Sequence, residues 1–112
     1  MITSEKSRKL LLMKIENKIH WYLNEVYKFP GTFLPSQKKT LQKLFEVYIL
    51  IAALPFYSPI FEWFQRNIDK IHIYSEHDKV RIYKIESQII EQVEFVDGDL
   101  CNLLYKAIEY QN

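Results

Sequence analysis

The stretch Gln65–Tyr74 holds the side chains best suited to chemistry, because an arginine, an asparagine, a histidine and a tyrosine fall within it. Five residues separate Arg66 from His72, and Tyr74 follows His72 by two places. A histidine titrates near neutral pH and can act as acid or base. The planar guanidinium of an arginine matches phosphate oxygens at two points. These residue types therefore suit chemistry at a phosphate group.

The same stretch resembles the signature of HEPN domains, small all-helical bundles in which an arginine, often followed by asparagine, precedes a histidine. Arg66, Asn67 and His72 carry the resemblance, and Tyr74 matches a feature of one toxin branch of that family. The resemblance implies metal-independent RNA cleavage in a dimer. His72 would handle protons on the ribose hydroxyl or the leaving oxygen, and Arg66 would neutralise the scissile phosphate.

The geometry of a helix bears on this hypothesis. Residues six apart on an ideal helix differ by about 120° in azimuth, so Arg66 and His72 do not share one narrow face. A kink or a partner subunit would have to bring them together. The alternative interpretation is a surface arginine and a partly buried histidine that serve no catalytic purpose.

Other kinds of chemical site find little support in the composition. Gly31 and Gly98 are the only glycines, so a glycine-rich loop that cradles phosphate is excluded. Residues 72–78 hold the one cluster of histidines and acids, which is too sparse to predict a metal site, and we expect no cofactor. Cys101 lies among leucines and is expected to be a small core residue, with a nucleophile as the alternative.

Charge is distributed unevenly along the chain, although the net charge is only +1. Residues 1–43 carry nine Lys or Arg against three acids, and residues 44–112 carry six against eleven. Clustered carboxylates steer association with positively charged proteins. We therefore expect a partner-binding surface for a basic protein, with a solvated helix face as the alternative. The predicted binding residues are Glu86, Glu91, Glu94, Asp97, Asp99, Tyr83 and Tyr105.

The first helix is predicted over Thr3–Phe29, where apolar residues recur three or four positions apart. Thr3 or Ser4 can cap its start, and Pro30-Gly31 ends it. Residues 29–35 form an unusually apolar loop, which either folds back onto the core or makes an exposed contact. The apolar stripe consists of Leu11, Ile15, Ile19, Tyr22, Val26 and Phe29.

The second helix is predicted from about Ser36 to Leu54 and is apolar nearly all round. That pattern is typical of the central helix of a bundle or of a membrane segment. Prolines at 55 and 59 would break a spanning helix, so membrane insertion is not expected. Ser58 and Pro59 form an N-cap and first-turn pair that predicts the start of a third helix. The residues that this helix is expected to turn inward are Ile60, Phe61, Phe64, Ile68 and Ile71.

Residues 71–96 allow two interpretations. The alternation in Ile71–Tyr74 and in Val80–Tyr83 fits a β-hairpin. The spacing also draws a helical stripe that Asp78 can cap, and we favour this fourth helix. Its residues are Ile82, Ile85, Ile89, Val93 and Val96. A last helix is predicted after Asp97.

The predicted architecture is a single all-α domain over residues 1–112, a compact bundle of four or five helices. Its single cysteine and the lack of a signal-peptide-like stretch favour a reducing cytoplasm. Eight Tyr, two Trp and seven Phe exceed what such a bundle must bury, so some are expected at a protein interface. We expect a non-catalytic inhibitor or immunity-type module that blocks a basic or nucleic-acid-handling protein, with a homodimer also compatible. RNA is a partner only for the HEPN-like ribonuclease alternative.

Overall fold

The computed structural model describes residues 2–76, 79–86 and 89–95, which form three helices followed by a small sheet. The helices are α1 (Ser4–Lys28), α2 (Pro35–Ala53) and α3 (Pro59–Arg66), with short 3-10 turns at Pro30–Thr32 and Ile68–Lys70. The strands are β1 (Ile71–Glu76), β2 (Lys79–Glu86) and β3 (Ile89–Phe95), and they form one antiparallel sheet in that order. The fold is therefore α+β, and the predicted all-α bundle of four or five helices is wrong.

Helix α1 confirms the first predicted helix. The hydroxyl of Thr3 accepts a hydrogen bond from the backbone N–H of Lys6 at 3.2 Å, which caps the helix. Phe29 is 55% exposed because it is the C-cap residue and its backbone has already left helical geometry, so it does not continue the stripe. The stripe residues that lie in the core are Leu11, Ile15, Ile19 and Tyr22.

Helix α2 begins and ends close to its predicted positions. Helix α3 begins at Pro59 as predicted but ends at Arg66, so Ile68 lies on a 3-10 turn and Ile71 on β1, and the predicted continuation of this helix to Ile71 is wrong. The buried Ser58 side chain accepts a hydrogen bond from the backbone N–H of Phe61 at 3.1 Å and caps α3, with Pro59 in the first turn. Within the preceding loop, Phe33 packs against the core whereas Leu34 is exposed. Among the described helices, none has the length and apolar character needed to cross a membrane.

The segment after α3 is a β-hairpin, so the fourth helix favoured by the spacing is wrong. Burial alternates along it, with Ile71, Ile73, Val80 and Ile82 in the core. Ile73 pairs with Ile82 in the register, which places both on the face that meets the helices. β-branched side chains are stiff and pack well on a pleated surface, so this period-two pattern favours a strand. The proposed Asp78 cap and the helix after Asp97 lie outside the described residues.

Helix α1 covers the outer edge of β1, the strand at one end of the sheet. The ammonium group of Lys14 donates to the carbonyl of Ile71 at 2.8 Å, and the hydroxyl of Tyr22 donates to the carbonyl of Ser75 at 3.0 Å. Burial lowers the pKa of Lys14, and the charge of Asp69 opposes that shift. These bonds satisfy carbonyls that a sheet edge otherwise leaves unpaired, and they fix the hairpin against α1.

Replacing Ile82 and Ile85 separately by alanine distinguishes the strand from the predicted helix. Ile82 is 0% exposed and Ile85 is 40% exposed, although both belong to the same helical stripe. We expect I82A to lower the free energy of unfolding by about 2–5 kcal/mol and I85A by less than about 1 kcal/mol. Urea denaturation followed by circular dichroism measures both. Similar costs for the two substitutions would contradict the hairpin.

Candidate partner-binding surface

The outer face of the hairpin carries three of the residues singled out from the sequence. His72 pairs with Tyr83 in the register, and Tyr74 pairs with Arg81. The rings of Tyr74 and Tyr83 meet edge to face, with centroids 6.2 Å apart. Cross-strand aromatic contacts of this kind stabilise a hairpin. His72 is exposed, so the interpretation of a partly buried histidine is wrong.

Arg66 and His72 lie on different elements. Arg66 is the last residue of α3 and is exposed, whereas His72 lies on β1, beyond the second 3-10 turn. The side-chain amide of Asn67 donates to the carbonyl of Trp63 at 2.8 Å and so closes the end of α3. The helical setting implied by the HEPN resemblance is absent around His72, because a strand carries it together with Tyr74. Within the described part of the chain, no three His, Cys, Asp or Glu side chains cluster as metal ligands.

Glu86 is the one predicted acidic contact whose side chain the structure describes. Its carboxylate accepts a hydrogen bond from the ammonium group of Lys70 at 2.8 Å and lies 3.7 Å from that of Lys84. The hydrogen bond from Lys70, reinforced by the charges of both lysines, holds the pKa of Glu86 below its usual value. Glu86 stays ionised, and the two neighbouring ammonium groups offset the negative charge that it offers a partner.

The other predicted contacts are distributed between β3 and the undescribed part of the chain. In the register, Glu91 pairs with Lys84 and Glu94 pairs with Arg81. Residues three apart, such as Glu91 and Glu94, lie next to each other on a helix. On a strand they lie on opposite faces of the sheet, because successive residues alternate between the two faces. The expected acidic helix face is therefore corrected, although these acids remain predicted contacts. Asp97, Asp99 and Tyr105 lie outside the described residues.

A surface missed by the sequence analysis lies on the outer side of α2. Phe45 and Ile49 are 44% and 55% exposed and are neighbours one turn apart. Phe56 and Tyr57, in the loop that follows α2, are 40% and 74% exposed. We call these four side chains the α2 apolar surface. The apolar residues on all sides of α2 are the sequence feature that could have revealed this surface. The same pattern, however, also fits a helix that is buried on every side.

The loop that carries part of this surface is held in place by Arg8 of α1. The guanidinium of Arg8 lies 4.0 Å from the centre of the Phe56 ring and donates to the carbonyl of Leu54. The Phe56 ring also meets the buried ring of Phe61 edge to face, with centroids 5.2 Å apart. Burial lowers the pKa of Arg8. Phe56 is therefore positioned before any partner binds, which reduces the entropy lost on binding.

The segment that carries the α2 apolar surface has no cationic residue of its own, although Arg8 of α1 lies against Phe56. Residues 44–65 contain Glu46 and Glu62 and no Lys, Arg or His. One carboxylate oxygen of Glu46 is buried and accepts no hydrogen bond from the described residues. A buried acceptor without a donor is costly. The segment thus combines exposed apolar side chains with two acids.

Comparison with known proteins finds no relative: no protein-family model, no curated protein and no solved structure matches the chain. The comparisons therefore neither support nor exclude the HEPN resemblance. It remains a hypothesis that rests on Arg66, Asn67, His72 and Tyr74.

The pairing of Glu86 predicts unequal effects of its two lysines. Replacing Lys70 with glutamine removes the hydrogen bond, so we expect the pKa of Glu86 to rise towards its usual value more in K70Q than in K84Q. A depressed carboxyl pKa contributes stability above the pKa of the unfolded chain, and that contribution disappears as the pH falls through the folded-state value. Because Lys70 and Glu86 are nearly half exposed, the change in stability is small.

An NMR titration of the Glu86 carboxyl carbon measures this pKa directly. The K84Q variant is the matched control, since it removes the same charge at the longer distance. An equal rise in both variants, or none in K70Q, would contradict the described pairing.

Proposed function

We propose that this protein acts by binding another protein, without catalysis, as an inhibitor or immunity-type module for a basic or nucleic-acid-handling partner. The α2 apolar surface is the observation that carries the proposal. Aromatic residues are enriched at protein interfaces and provide much of their binding energy. Exposed apolar neighbours such as Phe45 and Ile49 are typical of an interaction site on a small folded domain.

The charge of the surroundings supports a basic partner. Glu46 and Glu62 lie in the same stretch of sequence as the α2 apolar surface, and no cationic residue occurs between positions 44 and 65. Residues 44–112 as a whole carry five more acids than bases. Negative charge of this kind attracts a protein whose own surface is built to contact phosphate, and it accelerates the encounter.

The two groups of residues have different roles in this proposal. The apolar side chains of the α2 apolar surface are desolvated on contact and determine how long the complex lasts. The acids of the C-terminal half, including Glu91, Glu94 and Asp97, act at longer range and determine how fast the complex forms. Affinity and association rate should therefore respond to different substitutions.

Partner capture followed by binding kinetics tests the proposal. The immobilised protein is exposed to a lysate of its native host, bound proteins are identified by mass spectrometry, and the main candidate is purified. We expect a partner with a basic surface. The double substitution F45S/I49S should weaken its affinity about tenfold or more through faster dissociation. The triple substitution E91Q/E94Q/D97N should slow association and reduce its dependence on salt.

The matched control is M13S/L23S on α1. Met13 and Leu23 are 49% and 44% exposed, close to the values for Phe45 and Ile49, so the control removes a similar amount of exposed apolar surface. We expect it to leave the affinity unchanged. A partner that binds F45S/I49S as tightly as the wild type, or a partner with an acidic surface, would rule the proposal out.

A metal-independent ribonuclease that uses Arg66 and His72 is the second candidate function. The exposure of Arg66, His72 and Tyr74 favours it, because all three side chains can reach an RNA strand. This candidate predicts that purified protein degrades RNA in the presence of a metal chelator. It also predicts that H72A abolishes cleavage without changing the circular dichroism spectrum.

His20 provides the control for that experiment, since it is another exposed histidine and lies on α1. The ribonuclease candidate requires H20A to retain full activity. An RNA substrate left intact by well-folded wild-type protein would end this candidate, and so would equal loss of activity in H20A and H72A.

A further inference from the structure

A second set of exposed apolar side chains lies where α1 passes into α2. Trp21, Tyr27, Phe29 and Leu34 are 52%, 88%, 55% and 58% exposed, and all lie within fourteen consecutive residues of the chain. We call these four side chains, with Lys28, Lys38 and Lys39, the α1–α2 tip. It is separate in sequence from the α2 apolar surface and opposite to it in charge.

The loop of the α1–α2 tip projects from the body of the protein. The backbone N–H and the hydroxyl of Thr32 both donate to the carbonyl of Phe29, at 3.1 and 3.0 Å, so the turn is closed by its own hydrogen bonds. A methyl group added at Gly31 would meet no atom within 4 Å. Only Phe33 turns inward, where its ring meets that of Tyr22 at 6.5 Å. The remaining apolar side chains of the loop are left in water.

A groove lies between the α1 part and the α2 part of the α1–α2 tip. It has a volume of about 490 Å³, and Trp21 and Leu34 lie on its walls together with Lys18 and Gln37. Trp21 of α1 and Leu34 before α2 therefore belong to one continuous surface. The ring of Trp21 also meets that of Tyr22 edge to face at 4.9 Å, which orients the indole.

The charge of the α1–α2 tip is positive. Residues 17–45 contain five lysines and a single acid, Glu25. Lys28, Lys38 and Lys39 are exposed, and their ammonium groups make no ion pair or hydrogen bond with other described residues. These lysines and the exposed aromatic side chains lie in the same stretch of sequence, and the lysines form no ion pair within the described part of the chain.

We propose that the α1–α2 tip binds the surface of a bilayer that contains anionic phospholipid. Tryptophan and tyrosine rings favour the headgroup level of a bilayer, and apolar side chains such as Phe29 and Leu34 enter the boundary of the acyl chains. Lysines close to the surface are attracted to anionic headgroups. Lysine is depleted at protein interfaces, so this combination fits lipid better than protein. The contact is peripheral and uses the projecting loop.

Sedimentation with lipid vesicles tests the proposal. The wild-type protein is mixed with vesicles of phosphatidylcholine alone or of phosphatidylcholine with phosphatidylserine. We expect it to sediment with the anionic vesicles and to remain in solution with the neutral ones. Each lysine near the surface contributes about fivefold to the partition coefficient, so K28Q/K38Q/K39Q should lower it by about a hundredfold. F29S/L34S should lower it at least about tenfold because it removes the inserted side chains.

Two further measurements make the result specific. F45S/I49S removes two exposed apolar side chains from the other surface and should sediment as the wild type does. In a W63F background Trp21 is the only tryptophan, and its fluorescence emission should shift to shorter wavelength with anionic vesicles. The same variants assayed for partner binding separate this inference from the protein-binding function, because each surface should affect only its own ligand.

The following results would overturn the inference. One is that the wild-type protein fails to sediment with anionic vesicles. Another is that F45S/I49S reduces sedimentation as much as F29S/L34S does. Unchanged sedimentation of both α1–α2 tip variants would do the same. If these variants lose a protein partner but keep their vesicle binding, the α1–α2 tip is a protein interface.

Discussion

The apolar core shared by the helices and the inner face of the hairpin is the constraint on which the rest of the structure depends. Alternate residues of β1 and β2 enter the same core as the buried stripe of α1 and the inner side of α2. Hydrogen bonds from Lys14 and Tyr22 to β1 then fix the position of the strand along α1. Hydrophobic burial supplies the driving force, and these two bonds satisfy edge carbonyls that would otherwise be left unpaired.

The same constraint explains why a strongly apolar helix has an exposed side. In a bundle of four or five helices, α2 would be covered from several directions. In this fold it contacts α1 and the strands β1 and β2, and Phe45 and Ile49 on its other side stay in water. Exposed apolar area of this kind carries a solubility cost, and a bound partner removes that cost.

The charge asymmetry of the sequence becomes a separation in space along α2. Lys38, Lys39 and Lys43 lie in its first half, and the α2 apolar surface begins at Phe45 and continues past its end at Ala53. With a rise of about 1.5 Å per residue, Lys38 and Ala53 are roughly 20 Å apart. One helix thus carries its lysines in the first half and exposed apolar side chains in the second, with Glu46 as its single acid.

Local signals predicted the three helices because capping residues and prolines act within a few positions of themselves. Ser58 with Pro59 is the clearest case, since the cap is buried and bonded as its residue type predicts. The hairpin could not be chosen in this way. Ile82 fits both a helical stripe and an alternating strand, and only the core supplied by the helices decides between them. The predicted acidic face assumed a helix over these residues, so the structure, which has strands there, shows that the helical arrangement is wrong.

The α2 apolar surface escaped prediction for a related reason. Its residues look like core residues in the sequence, and their exposure depends on how much cover the rest of the chain provides. Phe56 is a further case, because the arginine that holds it lies about fifty residues earlier in the chain. Contacts at this separation leave no local pattern.

The register of the hairpin is the claim on which the whole account depends, and solution NMR tests it most directly. The carbonyls of Ile71 and Ser75 point towards α1, so Ile73 and Ile82 form a pair that is not hydrogen-bonded across the strands, with Cα atoms about 4.5 Å apart. The account predicts a strong nuclear Overhauser effect between their Hα protons. Its absence, with contacts between residues three apart along positions 80–95, would show a helix and contradict the account.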